Sequence, residues 1–527
     1  MRHLTALAAA ILLCSGPVTS QIPSEAVDLG VVSQIRAEAQ ARSHLMDTVE
    51  YLTDVTGGRL TGSPGLRQAQ QYARDTLRSW SLEAHLEPWG PFGRGWSFVG
   101  LTAALTAPTF SPLIAYPKAW SASTAGTVEG EPVFLDVTAP ADVERYRGKL
   151  RGRIVLFAPA RAVSPIPDPI PGRTSNSELE KLANAPSPSP GPPTFEPTPA
   201  QRSTMALNYA KWQLVYSEGA AVVLEPGSGE GGTVYVTAAA LPVSPDVPAA
   251  QRPHPWDVTR PQVVPQVVIA AEQYNRLVRL IARGVAVRLS IRVDARYDDT
   301  DPMSANVIGE MAGTDLKDEV VMFGGCLDSW HTGTGATDNA AGAGVALEAM
   351  RILQALGLKP RRTIRVGLWA AEEQGTLGSH AYVAAHLGTR VVDRDGQMHV
   401  VRGPDYDKVT GYFNLDYGTG RIRGVYLQGN DAVRPIFRAW LAPFADLGAS
   451  TLSSAGIGAT DHVPFDEIGV PGFQFIRDYM EGNGGPAHTN MDVFDHVLES
   501  DLKQSAAIVA AFAYELAMRN DKLPRKH

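Results

Sequence analysis

Cysteine is almost absent from this 527-residue chain. Cys14 and Cys326 are the only two, so no disulfide framework staples the fold. Long apolar runs are missing too: the run from Leu4 to Leu13 is too short to cross a bilayer, and no later segment is long and apolar enough. Positive charge is not in excess. The net charge of -8 leaves no basic field for nucleic acid or an anionic membrane surface. No internal repeat suggests a solenoid, and no arginine cluster marks a pocket for carboxylates. What remains, with 44% hydrophobic and 19% charged residues, is a mildly acidic globular chain long enough for two or three domains. Small-molecule or peptide chemistry is the expectation.

The first 20 residues, ahead of Gln21, have a positive start, the short apolar run and small residues at Val18 and Ser20, which reads as a secretory signal. The expectation is an exported protein, periplasmic or secreted. Cleavage there removes Cys14 and leaves Cys326 as a lone thiol in an oxidising compartment, either a small buried apolar residue or something with a chemical task.

Texture divides the rest of the chain. Residues 21–115 contain two stretches of helical periodicity around a Gly-rich turn and are expected to be the N-terminal part of the main domain. Residues 116–295 change to short β-rich runs such as "GRIVLFAPA" and "VPQVVIA", broken by a Pro-rich stretch, and read as an inserted domain. From 296 to 527, strands alternate with helices: "EVVMFGG" then "AAGAGVALEAMRILQAL", "TIRVGLWAA", "TGYFNLD", "GFQFIRD" and a final long helix. That alternation predicts an α/β fold, a mixed but mostly parallel sheet with helices on both faces.

In such sheets, ligands bind beyond the carboxyl ends of the strands. Chemistry-bearing residues gather there: Cys326, Asp328 and Asp338 after the first strand, Glu372 and Glu373 after the second, Asp416 after "YFNL", and His488 in the loop after "GFQFIRD". Carboxylates serving only solvation would scatter over helix faces and turns. Three carboxylates, one histidine and Cys326 suffice for two tetrahedral zinc ions sharing an aspartate, with room for water. Adjacent carboxylates in "AAEEQG" let one bind metal while its neighbour moves a proton.

At this point the motifs "GGRLTGSPG", "LDSWHTGTGATDNAAG", "AAEEQGTLGS", "FNLDYGTG", "ATDHVPFDEIGVPGFQFI" and "HTNMDVFDHV" together resemble the co-catalytic di-zinc exopeptidase family, which includes bacterial leucyl aminopeptidases and plasma glutamate carboxypeptidase. The resemblance implies a zinc exopeptidase fold with a protease-associated domain at 116–295. It implies Asp338 as bridging ligand, Glu373 and His488 completing one zinc site, Asp416 in the other, and Glu372 as general base. His462, with Asp461, falls where the family places groups near the substrate carbonyl, so His462 is expected to stabilise the oxyanion.

Two positions depart from the family: Cys326 stands where a histidine is usual, and Ala487 precedes the last histidine. Thiolate bonds zinc at about 2.3 Å against about 2.0–2.1 Å for imidazole, so the swap is geometrically allowed. It also cancels positive charge and deprives Asp328 of an imidazole N–H to accept. The expected activity is hydrolysis of short peptides as an aminopeptidase or dipeptidase, with a homodimer left open. The alternative is a weakened relative that binds rather than cleaves. Replacement of the missing imidazole by His331 and nucleotide binding through "GTGATDNAAGAG" are weaker readings, the latter because Asp338 would repel pyrophosphate.

Overall fold

The structure is a computed structural model that describes residues 25–526 apart from 166–171, 190–196, 261–262, 394, 396 and 479–484. The expected signal segment and parts of the Pro-rich stretch lie outside the described residues.

Eight strands form the main sheet: β1 (Glu83–Trp89), β2 (Ser304–Met311), β3 (Leu316–Cys326), β4 (Arg362–Trp369), β5 (Val409–Asn414), β6 (Ile422–Tyr426), β7 (Thr451–Ser453) and β8 (Gly472–Arg477). Their spatial order is β1-β2-β4-β3-β5-β8-β6-β7. The central run β4-β3-β5-β8 is parallel, and antiparallel partners flank it on both sides. The mostly parallel α/β sheet expected from the alternating pattern is therefore present.

The apolar run of β3 explains its central place. Val321 and Phe323 pack into the core on one face, while Val320 and Met322 join the core on the other, as a strand buried on both sides requires. Helices α1 (Leu29–Ala41), α2 (Pro64–Ser79), α3 (Ala341–Ala355) and α4 (Glu499–Met518) lie on the first face. Helix α4 is buried from Asp501 to Ala517 except at Lys503. Asp28 caps α1, and Ser63 caps α2 with proline at its first position, so the start of each helix is written in local sequence. Gly324 and Gly367 face each other across the parallel pair β3 and β4; a Cβ at Gly324 would collide with the Gly367 carbonyl. Glycine is required at that close approach.

Two further sheets are built from residues 95–298, so strands at 95–107 and 111–112 precede the 116–295 read as an insertion. The five-stranded sheet runs Ala115–Pro117, Gln266–Ile269, Val222–Pro226, Ile154–Leu156, Val133–Phe134 in spatial order. The other has four strands, built on the long antiparallel ribbon of Gly95–Ala107 with Arg288–Asp298. An aromatic cluster of Phe92, Trp96, Trp120, Trp256 and Trp330 joins this ribbon to the loop after β3.

Candidate active site

Four strand ends converge at one edge of the sheet. Cys326 ends β3, Glu372 and Glu373 follow β4, Asp416 follows β5, and β8 leads to the loop bearing His488. Parallel strands deliver these residues to the same edge because each crossover returns the chain in the same direction.

The side chains separate into two triads. The ligand atoms of Asp338, Glu373 and His488 all lie within 4.8 Å of one another, and so do those of Cys326, Glu372 and Asp416. In the first triad, His488 Nε2 sits 2.7 Å from Asp338 Oδ2 and 3.1 Å from Glu373 Oε2. In the second, the Cys326 thiol donates to Asp416 Oδ1 at 3.3 Å. Glu372 thus shares a triad with Cys326 and Asp416, a grouping that adjacency in sequence did not specify.

Asp328 acts on the backbone. Its Oδ1 accepts the Glu372 N–H at 3.1 Å, and its Oδ2 accepts the Glu373 N–H at 3.3 Å and the Thr61 hydroxyl at 3.2 Å. With no imidazole at 326 to receive, this carboxylate pins the two glutamates from beneath. Backbone conformation is strained at the same places: φ is +57° at Ala371 just before the pair, +71° at Tyr417 just after Asp416, and +59° at His488 itself.

Asp416 is held by a buried polar network. Thr460 donates to its Oδ2, Gln474 donates to its backbone carbonyl at 2.9 Å, and Asn414 donates to Thr460 and Gln474 at 2.8 Å each. Trp369 donates to the Tyr412 hydroxyl, which donates on to Asn414, at 2.7 Å in both cases.

Two further residues that composition and spacing did not single out support the first triad. Asp492 accepts the backbone N–H of Thr337 at 2.6 Å and of Asp338 at 3.3 Å. Arg59, fully enclosed, donates to the carbonyls of Leu52, Leu327, Thr334 and Gly335, tying the loops around Asp338 together. Both residues lie within the site motifs. Their role was hidden because each serves backbone groups contributed by distant segments.

His462 and His331 stand apart from the triads. His462 is fully buried, its Nε2 facing Gln428 and the Ile457 carbonyl, and burial lowers its pKa to about 3. Its neighbour Asp461 accepts the Ser379 hydroxyl at 2.6 Å. His331 bonds the Pro117 carbonyl through Nε2 at 2.9 Å and packs against Trp96 and Phe98, an anchoring role rather than a substitute for an imidazole at 326.

The electrostatics are lopsided. Burial, then Asp416, pushes Glu372 well above the ordinary carboxylate range; burial, then Asp338, raises Glu373 to about 8 and Asp416 to about 6. Burial raises Asp328 and Asp492 to about 7 and lifts the Cys326 thiol well above its usual value, with Asp416 next in effect. Burial opposes a charge on His488, yet Glu373 and Asp338 together raise its pKa far above an ordinary imidazole. Glu373 Oε1 is buried without a hydrogen-bond partner. Such a concentration of desolvated acid around one histidine fits divalent cations: they would relieve the repulsion and use the orphaned oxygen.

Known proteins resemble this chain in sequence and in fold. The model of Peptidase family M28 matches residues 306–513. Human carboxypeptidase Q is 25% identical to this chain, covering 99% of it and 97% of the relative. A solved Peptidase M28 precursor from Shewanella amazonensis matches with a TM-score of 0.64 at 23% identity, covering 94% of this chain and 98% of that one. A zinc aminopeptidase from Bacillus subtilis matches with a TM-score of 0.54 at 19% identity, covering 90% and 95%. At these identities the two structures speak to the fold.

Proposed function

We propose that this chain, whose residues 306–513 match the model of Peptidase family M28, is a zinc-dependent exopeptidase that trims short peptides as an aminopeptidase or dipeptidase. The observation that carries the reading is the pair of facing triads, rich in buried acid, at the sheet edge where α/β folds bind their ligands.

The donor sets suit zinc. Asp338, Glu373 and His488 offer one carboxylate and imidazole set, and Cys326 and Asp416 offer thiolate and carboxylate to a second ion. Zinc bound there would polarise the scissile carbonyl and make water a nucleophile at neutral pH.

The chain's own residues handle the rest. Glu373 is committed to His488, which leaves Glu372 as the proton carrier: it takes a proton from the attacking water and gives it to the leaving amine. Asp328 keeps both glutamates in place through their backbone N–H groups. Asp492 and Arg59 hold the loop that presents Asp338. Burial of Cys326, Asp338 and Asp416, with Glu372, Glu373 and His488 partly buried beside them, lowers the local dielectric and strengthens the acids' pull on a cation.

The signal-like N-terminus supports export to a periplasmic or extracellular setting. The experiment is metal analysis of the purified protein combined with a scan over dipeptides and aminoacyl chromogens. Zinc content together with release of single residues supports the reading. A zinc-loaded protein inert toward all of them favours the binding alternative.

A further inference from the structure

One contact to the first triad comes from far outside residues 306–513. The Tyr235 hydroxyl lies 3.1 Å from His488 Nδ1, across 253 residues of sequence. Tyr235 belongs to the extended segment after Gly232, within the region that also supplies the five-stranded sheet. The backbone reinforces the contact. Tyr235 forms an isolated antiparallel bridge with Thr489, and the Val236 N–H donates to the His488 carbonyl at 3.3 Å. On the other side the Asn490 N–H donates to the Val234 carbonyl at 3.3 Å, and the Val234 N–H donates to Asn490 Oδ1 at 2.7 Å. Trp330 closes the imidazole from another side, its ring centre 6.2 Å away and edge-on.

These bonds have a common object. His488 carries φ of +59°, a left-handed backbone that a non-glycine residue adopts only when its surroundings hold it there. The segment around Tyr235 grips the backbone of His488 and Asn490 and the free nitrogen of the ring at once. When Nε2 is given to a cation, the ring proton resides on Nδ1 and is donated to the Tyr235 oxygen, which fixes both the tautomer and the ring plane.

We infer that Tyr235 is a positioning residue for the metal histidine, and that the inserted region therefore completes the zinc site. The inference rests on the zinc peptidase reading and deepens it. Through this contact the insertion sets the orientation of a ligand. A ligating histidine that loses its outer hydrogen bond costs about 10–100-fold in metal affinity, and that is the effect expected here.

The test is zinc competition against a chromophoric chelator on the full-length protein, wild type beside Tyr235→Phe. The phenylalanine keeps the ring and removes only the hydroxyl. The account expects zinc to bind about 10–100-fold more weakly to the variant at one of its sites. It also expects altered visible bands for the cobalt-substituted variant, because the ligand field at the histidine changes. Its thermal midpoint in excess chelator should match the wild type. Zinc affinity and cobalt spectrum both equal to wild type would overturn the inference while leaving the peptidase reading standing. A chelator-treated variant that has lost as much stability as it has metal affinity would also overturn it, since that pattern marks a structural contact. A wild type that takes up no zinc at all would defeat the proposed function itself.

Discussion

Replacing Asp328 with asparagine changes one oxygen to an NH2 group and leaves shape and volume nearly unchanged. In the native chain both carboxylate oxygens are used: Oδ1 accepts from Glu372 and Oδ2 from Glu373 and Thr61. Asparagine can accept at only one side, so its amide faces either the Glu372 or the Glu373 N–H donor to donor. A buried donor left without an acceptor costs about 1–3 kcal/mol. Loss of the charge offsets part of this, since burial raises the Asp328 pKa to about 7. If the cost falls on the placement of the two glutamates, about 1–3 kcal/mol corresponds to roughly 5–150-fold in rate. The assay is kcat/KM on a reactive dipeptide, read beside zinc content and a denaturant midpoint. The account expects a clear fall in kcat/KM with the fold intact. Wild-type activity in Asp328→Asn would refute the claim that this carboxylate holds the pair in position.

Other expectations follow from the same geometry. With cobalt in place of zinc, a sulfur-to-cobalt charge-transfer band should appear in the near ultraviolet and vanish in Cys326→Ser; a band absent from the wild type would show that the thiol is no ligand. Rapid alkylation of Cys326 in the folded, chelator-treated protein is not expected, because burial raises the thiol pKa and closes access; fast labelling would contradict the buried placement. Away from the site, Glu515 accepts the Asp28 N–H at 3.0 Å, and burial raises its pKa from 4.5 to about 7 against the lowering effect of that bond. A folded-state pKa raised in this way gives stability that is full below about pH 4.5 and lost as pH climbs through about 7. Glu515→Gln should therefore flatten the decline in thermal midpoint between about pH 5 and 8; an unchanged slope would mean that Glu515 does not drive it.

Most of the sheet was legible in the sequence because apolar strands and helices alternate from residue 304 onward; its edge strand β1 lies before that stretch. The gathering of acids at one edge was legible for the same reason: parallel strands end together, and each motif follows a strand. The partition into triads was not. Which way two neighbouring glutamates point depends on the positive φ of Ala371 and on Asp328 beneath them, neither of which leaves a periodic signal. His462 was singled out as a histidine beside an aspartate in a site motif; the structure buries it with Nε2 3.0 Å from the Ile457 carbonyl, a surrounding that no periodic pattern announces. Asp492, Arg59 and Tyr235 were illegible because each acts on groups supplied by a remote segment. Tyr235 lies in a stretch whose alternation speaks only of a strand.

The central claim is that Glu373 holds metal while Glu372 carries protons. Their adjacency, and the closeness of Glu372 to Cys326 and Asp416, make the opposite assignment a real competitor. Glu372→Gln separates the two, because glutamine fills the same space but cannot take a proton from water. The direct measurement is zinc stoichiometry and single-residue release on one preparation of Glu372→Gln beside the wild type. The account predicts unchanged zinc and turnover reduced by about a hundredfold or more. Loss of a zinc ion from the variant would contradict it and make Glu372 a ligand.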